Sequence, residues 1–346
     1  MNILLIQLRR LGDLILTTPA IAAIRQKFPD AKITLVTSRS CSPLLPAIPH
    51  TDVRYVMQRN PADVATFMKI ARTRFDACVD FTRNNRSALI SYLSRAKIRI
   101  ASARIKRRAP VRQRAYNEFV PGRMRDLHMI DYNLSLLKPL GIDDTCPPVQ
   151  LIVPAESAAI AKDVRHRAGI TEPFVIFHPG SARIEKFWQP DRWADVIHSA
   201  MDRWPITSVL TGGASPQEKS HLAEIEALLP RPTNDTAPRV VDLSGKIDLL
   251  TLTALIAQAR LLVTVDSAPV HLAAASKTPQ IILFGPTNPF HWRPRQDSAV
   301  ILQGESPTPI HDFVPRQERV PMKLISTEAV IDAMNSLLSM PAAKVL

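Results

Sequence analysis

The sequence predicts an α/β protein of two Rossmann-like domains, and three observations predict it. Short apolar runs alternate with helix-period segments over most of the chain, the pattern of parallel strands joined by helical crossovers. The alternation breaks around Cys146, where P-P-V-Q-L-I-V-P-A-E reads as a linker, and a second series of similar length follows. The two series differ in charge: residues 1–150 hold 25 Lys and Arg against 11 Asp and Glu, and residues 151–346 hold 19 against 20. The expected domains are residues 1–165 and 166–346, facing across a cleft, with a C-terminal helix that packs back toward the first domain.

Taken in order, residues 3–7 form a first strand. A helix over 19–27 follows, with Thr17 and Thr18 as caps and Pro19 in its first turn. Strands are expected at 32–37, 77–81 and 98–101. In the second series, 174–177 is a strand ending in H-P-G-S, 191–203 a helix, and 207–210 a strand ending in T-G-G-A. Helix 218–228, strand 240–243, helix 250–259 and strand 261–265 come next. A helix then starts at Pro269, strand 280–284 ends in G-P-T, and 326–339 is a C-terminal helix.

Composition excludes several classes. The chain has 346 residues, 46 % hydrophobic, ample for two cores. Its three cysteines, Cys41, Cys78 and Cys146, share no short spacing, so they read as neither a zinc set nor a disulfide framework. The first apolar run is short and its charges come after it, which is a strand and not a signal peptide. No stretch approaches the roughly 18 apolar residues a bilayer span needs. A cytoplasmic protein is expected.

Residues 95–125 carry 11 basic residues and one acid, Glu118. That asymmetry points to a polyanionic partner: nucleic acid, anionic lipid or a phosphorylated substrate. A solvated basic surface is the plain alternative. The stretch holds Tyr116 and Phe119 but no zinc-finger or RNP signature, so nucleic-acid binding is the weaker reading.

In doubly wound domains ligands bind at the carboxyl ends of the strands. Five such loops carry chemistry here: 9–13, 181–186, 212–218, 266–271 and 285–287. In Q-L-R-R-L-G-D-L, Asp13 is either a helix cap or a general base. There is no G-x-G-x-x-G, P-loop, D-x-D or G-x-S-x-G. Ser181, Arg183 and Lys186 offer hydroxyl and cationic donors suited to a phosphate. The plain reading is a polar loop packed down by Trp188 and Trp193.

The motif T-V-D-S-A-P-V-H combines a strand end with a helix start. The unpaired N–H groups of a first helical turn bind anions, so 267–270 suits a phosphate. Asp266 or Ser267 serves equally as a cap, with Pro269 in the first turn and His271 either buried or facing a ligand.

In this order, M-N-I-L-L-I-Q-L-R-R-L-G-D-L-I-L-T-T-P-A, H-P-G-S-A-R-I-E-K-F-W, V-D-S-A-P-V-H-L-A-A-A and F-G-P-T-N-P resemble the heptosyltransferases of glycosyltransferase family 9, which build the lipopolysaccharide core. The resemblance implies a GT-B fold, with the acceptor on the first domain and the donor nucleotide on the second. It implies inverting, metal-independent heptose transfer from ADP-heptose to an anionic, Kdo- and phosphate-bearing lipid acceptor. No cofactor and no nucleic acid take part, and the protein contacts the inner leaflet of the inner membrane peripherally.

Carried over by motif, Asp13 is the general base and Lys186 the catalytic and phosphate-binding cation. Ser181, Ala182, Glu218, Ile247, Asp266, Ser267, Ala268, Pro269, His271, Gly285 and Thr287 line the donor site, with Ile247 near the adenine. Glu218 takes the place of the family's acid after the G-G-A turn, one residue on from Gln217. Arg10, Gly12, Arg104, Lys106 and Arg107 are the expected acceptor residues. A family 9-like transferase using another nucleotide sugar or another acceptor is the alternative.

Overall fold

The computed structural model describes residues 1–108, 110–170, 173–229 and 240–339, the side chains of 107 and 108 excepted. The chain divides into two units, Met1–Ile152 and Val153–Leu346. The division falls inside the linker and not at 165/166. The reason is packing: helix Ala155–Ala168 lies against helix Leu249–Gln258 of the second unit.

The first unit is built on six strands: β1 (Asn2–Gln7), β2 (Lys32–Ser38), β3 (Val53–Met57), β4 (Ala77–Asp80), β5 (Ile98–Ser102) and β6 (Glu118–Val120). They form one parallel sheet in the order β3-β2-β1-β4-β5-β6. Ile3, Leu4, Leu5 and Ile6 of β1 are all fully buried. A central strand with helices on both faces needs such a continuous apolar run, and each side chain buried stabilises by about 1.5–3 kcal/mol.

The second unit repeats the plan with β7 (Phe174–His178), β8 (Thr207–Leu210), β9 (Val240–Asp242), β10 (Leu261–Val265), β11 (Gln280–Phe284) and β12 (Ala299–Gln303). Its order is β12-β11-β10-β7-β8-β9, again all parallel. Read from each unit's own first strand, the two orders are the same. Each is the doubly wound order, with its switch point between β1 and β4 and between β7 and β10. Loops leaving those strands part in opposite directions and open a crevice.

Trp188 and Trp193 are fully buried and meet edge to face with ring centroids 5.4 Å apart. The Trp188 indole donates to the Ile325 carbonyl at 3.0 Å, tying the 181–188 loop to the segment before the C-terminal helix. That helix, Thr327–Ser339, packs on helix Pro190–Arg203 and on β11 and β12 of its own unit.

Candidate functional site

In the second unit, four of the predicted loops come together. Lys186, after β7, is nearly buried, and its ammonium donates to the Asp266 carboxylate at 2.6 Å and to the Asp266 carbonyl at 2.8 Å. β7 and β10 are neighbours, so this pair spans the switch point. Thr287, after β11, donates its hydroxyl to the same carboxylate oxygen at 2.5 Å. An ammonium has three donors, and Asp266 occupies two of them.

Glu218 joins a further pair of loops. Its carboxylate lies against Gly180, after β7, and Gly213, after β8. A Cβ on Gly180 would sit 2.5 Å from one of its oxygens and a Cβ on Gly213 2.3 Å from the other. Glycine at both positions lets the carboxylate rest on two backbones. Ser215 fixes it from within its own helix, donating to Oε2 at 2.9 Å and capping Pro216–Leu228. Glu218 thus faces both loops, whereas Gln217 is exposed.

The start of helix Ala268–Ser276 resolves the capping question. Ser267 holds the N-cap position with an extended backbone, but its hydroxyl caps nothing. Asp266 does not cap either, being committed to Lys186 and Thr287. Ser267 Oγ and His271 Nδ1 are both buried without a hydrogen-bond partner. Such groups are rare in native interiors and mark polar capacity left over for something else. Burial pushes His271 down to about 4, with Lys186 acting in the same direction and the Asp266 carboxylate against it. His271 is neutral at physiological pH, so one ring nitrogen donates and the other accepts.

The remaining predicted residues in this unit lie around that core. Ser181 is buried and accepts from the Arg183 N–H at 3.4 Å, while Ala182 is exposed. Arg183 pairs with Glu185. Ala268 is half-buried and Pro269 buried. Gly285 packs under Met322, and its carbonyl accepts from Gln303 at 3.2 Å. Ile247, just past β9, is half-buried and lines a 480 Å³ cavity with Val164, Ala168, Val241, Leu243 and Lys246.

In the first unit, Asp13 is 7 % exposed on the short helix Leu11–Ile15. Oδ2 accepts the Arg10 N–H at 3.4 Å, as a cap would, and the carboxylate is buried beside a guanidinium. Arg9 Nη1 is 3.4 Å from Oδ1. Burial pushes the Asp13 carboxyl above its ordinary range, against the pull of Arg9, Arg10 and Arg83. Thr17, expected as a helix cap, instead donates to the Asp13 carbonyl at 2.7 Å and accepts from Gln7 at 2.9 Å. Those two bonds fix the turn that carries Asp13.

Arg83, which the sequence reading did not single out, stands across the switch point from Asp13, after β4. Asp80, fully buried, accepts the N–H groups of Thr82 at 2.7 Å and Arg83 at 3.0 Å, and holds Arg83 in the left-handed region at φ 65°. Ser87 and Tyr116 hydroxyls complete its shell at 2.7 and 2.5 Å. The Arg83 guanidinium lies 5.0 Å from the centre of the Tyr132 ring, and both Arg83 and Arg9 reach Met124 Sδ, at 3.1 and 3.7 Å. Among the described residues of this unit, the buried side-chain polar atoms without a hydrogen-bond partner are Gln7 Oε1, Asp13 Oδ1 (ion-paired with Arg9), Thr37 Oγ1, Arg83 Nε and Tyr132 OH. Gln7, Asp13, Thr37 and Arg83 sit at or just past the carboxyl ends of β1, β2 and β4.

A cavity of 510 Å³ opens at the same sheet end, with Ser38, Arg59, Asn84, Arg86 and Arg112 in its wall. These arginines are not the expected ones. Arg10 is exposed and Gly12 half-buried, Arg104 and Lys106 are exposed on Arg104–Arg108, and Lys106 lies 4.3 Å above the Phe119 ring. The Arg107 side chain is outside the described residues. The missed signal was β3: once Val53–Met57 is recognised as a strand, Arg59 falls in a strand-end loop like the others. Among the described residues no group of three or more His, Cys, Asp or Glu side chains is placed to hold a metal.

Known proteins are similar to this chain. The family model for glycosyltransferase family 9 (heptosyltransferase) matches residues 64–317. Lipopolysaccharide heptosyltransferase 3 of Escherichia coli is 29 % identical over 84 % of this chain and 85 % of its own length. The solved structure of a family 9 glycosyl transferase from Veillonella parvula superposes with a TM-score of 0.82 at 23 % identity, covering 97 % of both chains. That of the E. coli ADP-heptose LPS heptosyltransferase II does so with a TM-score of 0.79 at 21 % identity, covering 98 % of both.

Proposed function

The chain belongs to glycosyltransferase family 9, and on that premise we propose that it moves heptose from ADP-heptose onto an anionic, Kdo- or phosphate-bearing acceptor of the lipopolysaccharide inner core. Transfer inverts the anomeric centre and needs no metal. The work is done at the cytoplasmic face of the inner membrane.

The observation that carries the reading is the meeting of four strand-end loops around Lys186, Glu218, Asp266 and Thr287. The donor diphosphate lies at the start of helix Ala268–Ser276, where first-turn N–H groups lack partners within the helix. Lys186 gives its third donor to a phosphate oxygen, and Ser267 and His271 supply their unspent hydrogen bonds. Asp266 aims the ammonium, and Glu218 accepts from hydroxyls of the nucleotide. The adenine lies toward Ile247.

Negative charge grows on the departing diphosphate in the transition state. Fixed donors at its oxygens are the largest catalytic need, because they require no reorganisation as the bond breaks. Asp13 takes the proton of the acceptor hydroxyl while that oxygen attacks the anomeric carbon. Its raised pKa makes it a stronger base than a surface carboxylate. The excess of Lys and Arg in residues 1–150 suits an anionic acceptor.

A thermal-shift panel tests the donor. ADP and ADP-heptose raise the melting temperature by mass action, and UDP- and GDP-sugars at the same concentration do not. No shift with millimolar ADP would remove the donor site.

A further inference from the structure

Large apolar side chains are exposed at scattered single positions over most of the described surface, but not on two helices of the first unit. Helix Asp63–Arg72 exposes Val64 and Met68, one turn apart on one face. Helix Asn85–Ser94 exposes Leu89 and Tyr92, again one turn apart, and Tyr92 is 61 % exposed. The two helices pack against each other and cover the same side of the sheet: Ile70 of the first and Ile90 of the second enter one buried cluster with β1 and β4 side chains. Their outward stripes are therefore neighbours.

The exposed charge on these helices and at their ends is cationic. Lys69, Arg72 and Arg95 are exposed along or at the end of the two helices. The one acid on either helix, Asp63, is buried and bound by the Gln58 and Arg59 N–H groups at 2.7 and 3.0 Å, with Arg86 3.7 Å away. Neither helix exposes a carboxylate. Beyond the helix ends the part-exposed Asp76 is paired with Lys97 at 3.6 Å, so Lys69, Arg72 and Arg95 border the apolar stripe without an exposed carboxylate on either helix.

We infer that this face, Val64, Met68, Leu89 and Tyr92 framed by Lys69, Arg72 and Arg95, docks the protein on an anionic lipid bilayer. The apolar side chains enter the headgroup region, where a tyrosine ring is well suited to sit with its hydroxyl in water. The cations meet lipid phosphates. Apolar insertion and charge attraction are two signals that together hold a protein on a membrane surface where one alone is marginal. The inference rests on the reading of a lipid-borne acceptor, which a docked enzyme meets by lateral diffusion. It assigns the contact to two helices outside the 95–125 stretch, apart from Arg95 at their edge.

The test is co-sedimentation of the full chain with vesicles of phosphatidylethanolamine and phosphatidylglycerol, against vesicles of phosphatidylcholine alone. Wild type binds the anionic vesicles, and molar salt weakens binding at least tenfold. Two variants, V64S/M68S/Y92S and K69E/R72E, each lose at least tenfold in vesicle binding. Both keep wild-type transfer to a deacylated, water-soluble acceptor, which also reports that they fold. The inference is overturned by absence of wild-type binding to anionic vesicles, by wild-type binding in both variants, or by equal loss of transfer to the soluble acceptor. Sedimentation uses neither donor nor acceptor, so failure of the transferase reading shows separately, as wild-type protein that binds vesicles and transfers nothing.

Discussion

Lys186 and Asp266 stand 80 residues apart in sequence and form a buried ion pair of 2.6 Å across the switch point of the second sheet. The pair is specific because it uses both the carboxylate and the carbonyl of one residue, which aims the remaining donor of the ammonium. Removing one partner strands the other charge in the interior. Lys186→Met should cost about 3–5 kcal/mol of stability, and also weaken ADP binding. Lys186→Met with Asp266→Asn should recover most of the stability and none of the ADP affinity. Urea unfolding and ADP titration of the three proteins measure this, and wild-type ADP affinity in the double variant would contradict the phosphate role.

Gly213 and Glu218 give a second test of the donor site. Gly213→Ala places a methyl against the Glu218 carboxylate, so the acid must move and ADP-heptose binding weakens. In a Glu218→Ala background the three atoms nearest to that methyl are gone, and adding it should change affinity little. The double-mutant cycle is strongly non-additive on this account. Simple addition of the two losses would mean that the glycine accommodates something other than Glu218.

If Asp13 is the proposed base, it should set the acid limb of the pH profile, and its burial should move that limb of kcat/KM above the ordinary carboxylate range. Arg83 and Arg9 hold that pKa down. Arg83→Gln removes one of these charges, so the limb should move to higher pH while activity recovers on the alkaline side. An unmoved limb in Arg83→Gln would show that Arg83 does not act on the base.

His178 and His271 make stability fall on the acid side. Burial holds both at about 4, well below the unfolded value near 6.5. Each takes up a proton on unfolding, so its contribution is full above about pH 6.5 and is lost as pH falls toward 4. The slope approaches roughly 1.4 kcal/mol per pH unit for each histidine. Melting temperatures should fall from pH 7 to 5, and less steeply in His178→Gln and His271→Gln. Equal slopes in wild type and variants would contradict burial of the neutral rings.

Much of this was legible in the sequence because parallel strands are apolar on both faces. β1, β2, β7, β8, β10 and β11 stand out as runs, and the loops after five of the central strands carried the named residues. The edge strands β3 and β6 were not read, since Arg54 interrupts one and the other has three residues, and β12 was passed over although A-V-I-L is apolar. Missing β3 hid Arg59, and missing the helix at Asn85–Ser94 hid Arg86. The domain boundary was placed late because nothing local in 155–168 says which sheet the helix covers. The pairing of Lys186 with Asp266 was beyond sequence reasoning: two loops 80 residues apart share no local signal, and only strand order makes them neighbours.

Heptose transfer with Asp13 as base and without a metal can be tested directly. Wild-type protein and Asp13→Asn are incubated with ADP-heptose and truncated core acceptors in excess chelator, and the products are weighed by mass spectrometry. Wild type should yield an acceptor heavier by one heptosyl unit, and Asp13→Asn none while still binding ADP at near wild-type affinity. Transfer by Asp13→Asn at the wild-type rate, or wild-type protein that is inactive in chelator and restored by added divalent metal, would contradict this mechanism.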